Sequence, residues 1–203
     1  MKKLSMQFYG GRDVVKLAAA LLGKLLVTRF GNELTIGRIV ETEAYIGLTD
    51  KASHSFGGRR TARNEHMYAA GGTAYVYICY GMHHLFNVVT NKKGIPDAVL
   101  IRALEPVEGI PLMLKRTGKK KADTTLTRGP GNAAKAMGIA KMHSGILLNS
   151  DELFIADDGY LLPKAAAGSS GRIGVEGAGK EAAALPYRFY IRGNPYVSGS
   201  PTK

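Results

Sequence analysis

Hydrophobic and polar positions along the first part of the chain predict one helix, then two antiparallel strands and a long loop. Apolar residues recur at helical spacing over 14–22, and Asp13 stands where a helix cap is needed. Strand-like runs cover 24–30 and 34–45, with a glycine–asparagine turn between them. Periodicity fails over 46–70, where glycine, serine, arginine and asparagine accumulate, so we predict a functional loop there.

The second part of the chain continues with strands and short helices. Two β-prone runs, 73–80 and 84–90, are joined by a short connection that places Tyr80 at the tip of a hairpin. A strand over 98–104 and a helix over 106–116 are expected next. Later predicted elements are a helix over 133–137 that opens at 129–132, strands over 172–175 and 187–192, and a frayed tail from Gly199.

Composition narrows the choice of partner and compartment. The 203 residues fit a single domain over 1–203 with mixed strands and helices, an α+β architecture. Lysine and arginine number 28 against 16 aspartate and glutamate, and the net charge of +12 calls for a polyanionic partner, most commonly nucleic acid. Cys79 is the only cysteine, which excludes an internal disulfide. Without a secretory leader or an apolar stretch approaching ~20 residues, we expect a cytoplasmic protein with no membrane partner.

Strand alternation brings acids and aromatic rings to one sheet surface. Glu41, Glu43 and Tyr45 share one face of their strand, and Tyr75 and Tyr77 share one face of the next long strand. Paired tyrosines at this spacing are more often ordinary packing than a stacking platform for a base. A carboxylate beside such a surface needs a partner, because burying an unpaired charge is costly.

Arg102 and His54 are the other residues that the pattern singles out. Arg102 interrupts an apolar strand in mid-sheet, and it fits a structural ion pair as well as it fits a catalytic role. His54 lies between two serines in the arginine-rich loop, where a solvated histidine is the more common case until a pocket is located. No phosphate-binding loop, dinucleotide fingerprint, metal-binding histidine helix or nucleophile-elbow serine occurs, so we expect no cofactor and no metal.

Several blocks of sequence follow one another in a family-specific order across 8–197. They are Val-Glu-Thr-Glu-Ala-Tyr at 40–45, Ala-Ser-His-Ser at 52–55, Gly-Arg-Arg-Thr-Ala-Arg-Asn at 58–64, Gly-Thr-Ala-Tyr-Val-Tyr-Ile-Cys-Tyr-Gly-Met at 72–82, Phe-Asn at 86–87, Leu-Ile-Arg-Ala-Leu-Glu-Pro at 100–106, Gly-Pro-Gly at 129–131 and Arg-Phe-Tyr-Ile-Arg-Gly-Asn-Pro at 188–195. One block alone is weak, whereas the set is very specific. In this combination the chain resembles the 3-methyladenine (alkyladenine or methylpurine) DNA glycosylases.

The resemblance implies a fold and a way of binding DNA. The fold would be a mixed α/β domain built on a curved antiparallel sheet with peripheral helices, from which a β-hairpin enters the minor groove. Tyr80 would place its ring in the base stack where the extruded nucleotide was. We expect Arg59, Arg60 and Arg63 to contact the DNA backbone. The partner would be duplex DNA containing damaged purines, bound by a monomer in a bacterial cytoplasm and therefore at the nucleoid.

The resemblance also assigns the catalytic groups. Glu43 matches the general base that activates a water, and Arg102 matches a residue that helps to hold this water. The backbone carbonyl of Ile173 would be the third group that contacts the water. No lysine matches a Schiff-base nucleophile, so we expect a monofunctional hydrolase that cuts the N-glycosidic bond in base excision repair and leaves an abasic site.

Four residues match the base pocket of that family. Tyr45 and Tyr77 correspond to rings that sandwich the flipped base, and a cationic methylated purine would stack strongly on them. His54 would face the edge of the base. Asn87 would crowd the position where guanine carries its exocyclic amine, so that shape helps to reject guanine.

Two other functions compete with this interpretation. A basic nucleic-acid-binding module without activity explains the charge of +12 equally well, but it gives no reason for an acid at Glu43. A related transferase domain that binds tRNA is the second alternative. The chain starts without the long basic extension of mammalian glycosylases of this type, which predicts a bacterial protein.

Overall fold

The architecture is determined by one large antiparallel sheet. The computed structural model of the protein describes residues 1–11 and 13–199. Nine strands of this part of the chain belong to the sheet. They are β1 (Lys2–Lys3), β2 (Leu25–Phe30), β3 (Glu33–Tyr45), β4 (Ala74–Cys79), β5 (His83–Thr90), β6 (Asp97–Glu108), β7 (Leu153–Asp157), β8 (Ala167–Ser170) and β9 (Arg188–Ile191).

The sheet is open, and its longest strand lies near the middle. The strands run in the order β1-β7-β2-β3-β6-β5-β4, and β8 pairs with β9, which itself pairs with β3. The first half of β3 pairs with β2 and the second half with β9, while β6 pairs along nearly its whole length. The sheet therefore has a continuous surface made of four neighbouring strands, β3, β6, β5 and β4.

The three longest helices cover one face of the sheet. The α-helices are α1 (Met6–Tyr9), α2 (Val14–Ala20), α3 (Ile110–Thr117), α4 (Pro130–Ala136) and α5 (Lys180–Ala184), and 3₁₀ turns span Phe56–Gly58, Glu65–Tyr68, Thr124–Leu126, Lys141–His143, Lys164–Ala166 and Glu176–Ala178. Asp13 caps α2 as predicted, because its Oδ1 accepts a hydrogen bond of 3.0 Å from the backbone N–H of Lys16. The main core packs side chains of α2, α3 and α4 against the sheet. The predicted mixed α+β architecture in one domain is confirmed at this level.

An irregularity in register lies where β3 meets β6. Ile39 pairs with Leu104, Glu41 with Ala103 and Thr42 with Ile101, so Val40 and Arg102 lack a paired partner. Ile39, Ile101 and Leu104 belong to the helix-side core, whereas Val40 and Ala103 pack in a second cluster with Tyr190 and Val197. The extra residue on each strand shifts the phase of alternation. As a result Glu41, Glu43 and Arg102 all lie on the face that the main helices leave uncovered.

One predicted element starts too early and another is wrong. The helix expected over 106–116 begins later, because β6 continues to Glu108 and Gly109, at φ 77°, turns the chain before α3 begins at Ile110. The strand expected over 172–175 is not a strand. Its first residue, Arg172, turns a charged side chain inward, and the segment runs without regular pairing into the 3₁₀ turn Glu176–Ala178.

The remaining predicted boundaries agree with the structure to within a few residues. The loop over 46–70 contains only the two 3₁₀ turns Phe56–Gly58 and Glu65–Tyr68. The tail predicted from Gly199 falls on residues 200–203, which lie outside the described residues. Among the helices that the structure describes, none has the length and apolar character needed to cross a membrane.

Candidate active site

A cavity of about 870 Å³ opens over strands β3, β6, β5 and β4. The 46–70 loop and the segments 128–132 and 173–178 complete its walls. Of the predicted site residues, those that line it are Tyr45, His54, Arg59, Arg63, Tyr77, Tyr80, Asn87, Arg102 and Ile173. Its cationic lining residues are Lys51, Arg59, Arg63, Arg102 and Arg128, and no carboxylate lines it in the part of the chain described here. Such a lining favours an anionic ligand.

Aromatic rings form one side of the cavity. Tyr75 and Tyr77 stack with ring centroids 5.6 Å apart and 28° between planes, which shows that they share a face of β4 as predicted. His54 meets the Tyr77 ring edge-on at 4.5 Å. The Nδ1 atom of His54 and the hydroxyl of Tyr75 form a hydrogen bond of 2.9 Å. His54 is therefore a pocket residue rather than a solvated loop histidine.

Burial keeps His54 uncharged near neutral pH. Removal from water lowers the pKa of His54 to about 4, and the charges of Arg63 and Arg59 act in the same direction. The loop that carries His54 is held by Asn64, which is almost completely buried. Its Nδ2 donates to the carbonyls of His54 and Arg59, at 3.0 and 2.8 Å. The free Nε2 of this neutral imidazole donates or accepts one hydrogen bond, according to the tautomer.

Glu43 lies directly beneath the cavity with no exposed surface. Its Oε1 accepts a hydrogen bond of 2.9 Å from the backbone N–H of Ile173 and is 3.2 Å from Nη1 of Arg102. Its Oε2 accepts a hydrogen bond of 2.8 Å from the hydroxyl of Tyr45. Burial raises the pKa of Glu43 above its ordinary value, although Arg102, Ile173 and Tyr45 oppose the shift. Glu43, Arg102 and Tyr45, which we expected to lie together, are thus in contact through Glu43.

Glu41 lies behind Glu43 and is saturated with donors. Its Oε1 accepts from Nε of Arg102 at 2.9 Å and from Nε of Arg188 at 2.7 Å. Its Oε2 accepts from the backbone N–H and the hydroxyl of Ser198, at 2.8 and 2.5 Å. Burial opposes ionisation, but Arg102, Ser198 and Arg188 together outweigh it and lower the pKa of Glu41. Arg102 therefore links two buried carboxylates, and Nη1 also lies 3.4 Å from the carbonyl of Ile173.

A buried ion pair between Asp50 and Arg172 supports the other end of the site. Arg172 Nη2 donates to Asp50 Oδ1 at 2.8 Å, and Nη1 donates to Oδ2 of the same carboxylate. The guanidinium also donates to the carbonyls of Ala44 and Ala182. It lies over the Tyr45 ring, 5.0 Å from the centroid. The pair fixes the residue before Ile173 and one face of Tyr45 at the same time.

Asn87 and Tyr80 occupy opposite extremes of exposure. Asn87 is buried on β5, and its Nδ2 donates to the carbonyl of Tyr75 at 3.1 Å, so its amide is fixed at the cavity floor.

Tyr80 lies in the turn between β4 and β5, as predicted, and is 86% exposed. Its φ of 50° is in the left-handed region, which is unusual for a residue with a side chain. The turn therefore presents a large aromatic ring to solvent at the cavity rim.

The three arginines of the 46–70 loop are not equivalent. Arg60 forms an ion pair with Glu65 at 2.5 Å and is absent from the cavity lining. Arg63 lies over the Tyr77 ring at 5.3 Å and donates to the carbonyl of Ile78. Arg59 lines the cavity beside it. Arg59 and Arg63, rather than Arg60, are placed to meet a ligand at the cavity.

Most of the chain matches one family of known proteins. The family model for methylpurine-DNA glycosylase matches residues 7–195. The chain belongs to the methylpurine-DNA glycosylase family. It is 42% identical over 204 residues to a protein of Clostridium perfringens, covering 97% of this chain and 98% of that one. It is 43% identical to a relative from Desulfitobacterium hafniense (98% and 99% covered) and 45% identical to one from Bacillus cytotoxicus (94% and 97% covered). Each of these relatives carries the provisional name 3-methyladenine DNA glycosylase.

Membership of this family confirms the predicted class of enzyme. The chain is a monofunctional DNA glycosylase, a hydrolase that acts on the N-glycosidic bond, and its substrate is DNA. The non-catalytic module and the tRNA-binding transferase are thereby set aside. These three relatives come from bacteria.

Sequence reasoning missed four residues that hold the site together. Asp50, Arg172, Arg188 and Ser198 contact predicted site residues but received no role. A signal was available for Arg172 and Arg188, because each charge flanks an apolar run and would need a buried partner. Ser198 and Asp50 stand in polar, irregular segments, where local pattern gives no indication of their contacts.

Proposed function

We propose that the protein removes alkylated or otherwise damaged purines, such as 3-methyladenine, from duplex DNA by a water that Glu43 activates. The observation that carries this proposal is the Glu43 carboxylate, held by Arg102, Ile173 and Tyr45 directly beneath a cation-lined aromatic cavity. Similarity to relatives named as 3-methyladenine DNA glycosylases supports the choice of substrate.

The proposed reaction is a displacement at the sugar carbon C1′ by water. Oε2 of Glu43 accepts one hydrogen bond, from Tyr45, and keeps a lone pair for a water molecule. As the C1′–N bond lengthens, its electrons leave with the purine and the sugar gains positive charge, which the Glu43 carboxylate stabilises. The water oxygen bonds to C1′ while its proton passes to Glu43. The products are the free base and an abasic site.

The elevated pKa of Glu43 suits this role. A general base is most effective when its pKa approaches the working pH, because it is then ionised and still able to hold a proton. Arg102 favours the ionised form of the carboxylate, and its Nη1 can help to orient the water together with the Ile173 carbonyl. The base must lose activity as the pH falls through its pKa.

The pocket would select bases by stacking and by edge contacts. A flipped purine would stack against the Tyr77 ring and against the face of Tyr45 opposite Arg172. Cationic methylated purines gain cation–π attraction from such rings. For neutral lesions, the uncharged His54 would donate or accept at the base edge. The fixed amide of Asn87 would crowd the exocyclic amine of guanine.

The exposed turn and the loop arginines would hold the DNA. Tyr80 would enter the base stack from the minor-groove side, offsetting the stacking that the flipped nucleotide loses. Arg59 and Arg63 would bind phosphates beside the flipped nucleotide, and Arg60 would contribute only after leaving Glu65. We propose that one domain over 1–203 binds the DNA on a curved sheet surface and acts as a monomer. Its place of action would be a bacterial cytoplasm, at the nucleoid.

Glu43→Gln tests the proposal most directly. The amide keeps the size of the side chain but cannot take a proton from water, so we expect base release to slow by roughly 10²–10⁴-fold. Single-turnover release of hypoxanthine, ethenoadenine and methylated purines from duplex DNA, with chromatographic identification of the free base, measures this rate. Affinity for the same duplexes should remain.

Glu33→Gln provides a matched control for that experiment. Glu33 lies on the same strand, but it pairs with Arg116 at the surface and does not line the cavity. Its substitution should leave the rate unchanged. A wild-type rate in Glu43→Gln would remove Glu43 as the general base, whatever the control shows.

A further inference from the structure

We propose that Glu41 is a positioning residue for the hydrolysis: it orients Arg102 toward Glu43, and the C-terminal segment at Ser198 locks Glu41 in place. This inference rests on the function proposed above and names a group to which that function assigns no role. Glu41, like Glu43, is fully buried and absent from the cavity lining, but in the described part of the chain Arg102 is the only lining residue to which it hydrogen-bonds. Its influence on the reaction must pass through Arg102.

The geometry of Arg102 divides its donors between the two acids. Nε is committed to Glu41 at 2.9 Å, and this contact turns Nη1 toward Glu43 and the carbonyl of Ile173. A guanidinium is a rigid planar fork, so fixing one edge fixes the direction of the others. Removal of the Glu41 contact would free Arg102 to rotate away from the water site.

Glu41 is itself held by chain that is distant in sequence. Ser198 supplies two of its four donors, and Arg188 supplies a third while donating Nη2 to the carbonyl of Ser198. Ser198 lies beyond residue 195, where the family match ends. The segment after β9 therefore closes the rear of the site, although its described residues, up to 199, do not line the cavity.

Glu41 also affects the pKa of Glu43 through Arg102. The charge of Arg102 lowers this pKa more than the charge of Glu41 raises it. Loss of the Glu41 contact lets Arg102 leave Glu43, so the pKa of Glu43 should rise and the acid limb of the pH–rate profile should move to higher pH. The titratable and charged groups that face Glu43 are Glu41 and Tyr45 on β3, Arg102 on β6, Tyr77 on β4 and Arg172 in the segment before Ile173.

Glu41→Gln tests the inference through two readouts. We expect single-turnover base release to slow on the order of 10²-fold, because Arg102 is misplaced by a fraction of an ångström or more. The acid limb of the profile should move to higher pH, and affinity for a lesion duplex should stay at the wild-type value. A merely structural role would slow release at every pH without moving the limb. A wild-type rate, an unmoved limb or a limb at lower pH would overturn the inference.

Two companion variants make the result specific. Glu41→Asp keeps the charge but shortens the reach, so release should slow and the acid limb should again move to higher pH; a wild-type rate would contradict the positioning role even if Glu41→Gln fails to fold. Glu105→Gln removes a carboxylate from β6 that pairs with Asn194 away from the cavity, and it should change neither readout. If Glu43→Gln retains full activity the proposed function fails, whereas a slow Glu43→Gln beside a normal Glu41→Gln refutes this inference alone.

Discussion

Removal of Asp50 should cost the protein a large part of its stability. The Asp50 and Arg172 side chains are 1% and 0% exposed, and both carboxylate oxygens accept from the guanidinium. Breaking a buried pair by removing one partner costs about 3–5 kcal/mol, because the other charge remains in a medium of low dielectric constant. Arg172 would keep only the carbonyls of Ala44 and Ala182 as acceptors. The total free energy of unfolding of a domain is about 5–15 kcal/mol, so the loss is severe.

Asp50→Ala should lower the free energy of unfolding by about 3–5 kcal/mol. In a domain of this size each kcal/mol corresponds to roughly 2–4 °C, so we expect Tm to fall by roughly 6–20 °C. Urea and thermal unfolding, followed by far-ultraviolet circular dichroism, measure both quantities. Asp50→Asn keeps one acceptor oxygen and nearly the same volume, and it should lose less.

A surface pair is the control for this prediction. Glu65 binds Arg60 with both side chains about half exposed, so Glu65→Gln should leave Tm unchanged within error. A loss below about 1 kcal/mol in Asp50→Ala, which is the range of exposed pairs, would refute the view that this ion pair holds Ile173 and Tyr45 in place.

Two further predictions concern DNA binding. Because Tyr80 is 86% exposed, Tyr80→Ala should preserve Tm but weaken the affinity for a lesion duplex in fluorescence anisotropy, with Met142→Ala, another exposed apolar residue, as the control. Equal affinity would count against intercalation. Affinity of the wild type should fall steeply with added salt, and Arg63→Gln should reduce the slope of log Kd against log salt by about 1. An unchanged slope would exclude Arg63 as a phosphate contact.

Local sequence patterns were sufficient to predict most helices and strands, and to predict which strand residues share a face of the sheet. The cap at Asp13, the strand that ends at Tyr45 and the turn at Tyr80 depend on residues only a few positions apart. Alternation placed Glu43 and Tyr45 together because the second half of β3 is regular. The resemblance then gave these positions their expected roles, which the proposed variants now test.

The errors and omissions all involve contacts between distant parts of the chain. Arg172 meets Asp50 across 122 positions, and Ser198 meets Glu41 across 157. The run over 172–175 has the composition of a strand, but the buried ion pair of Arg172 outweighs that local preference. β6 likewise passes through Pro106 because β3 extends beside it, where proline alone indicated the start of a helix.

The phase shift in β3 has a consequence for redesign of the enzyme. With strict alternation from Ile39, Glu41 and Glu43 would face the helices, where neither carboxylate has a partner. The extra residue at Val40 shifts the alternation of side chains by one position. Before it the alternate positions pack against the core, and after it they include Glu41 and Glu43 at the site. Substitutions at the apolar positions before Val40 should therefore leave the orientation of the reactive half unchanged.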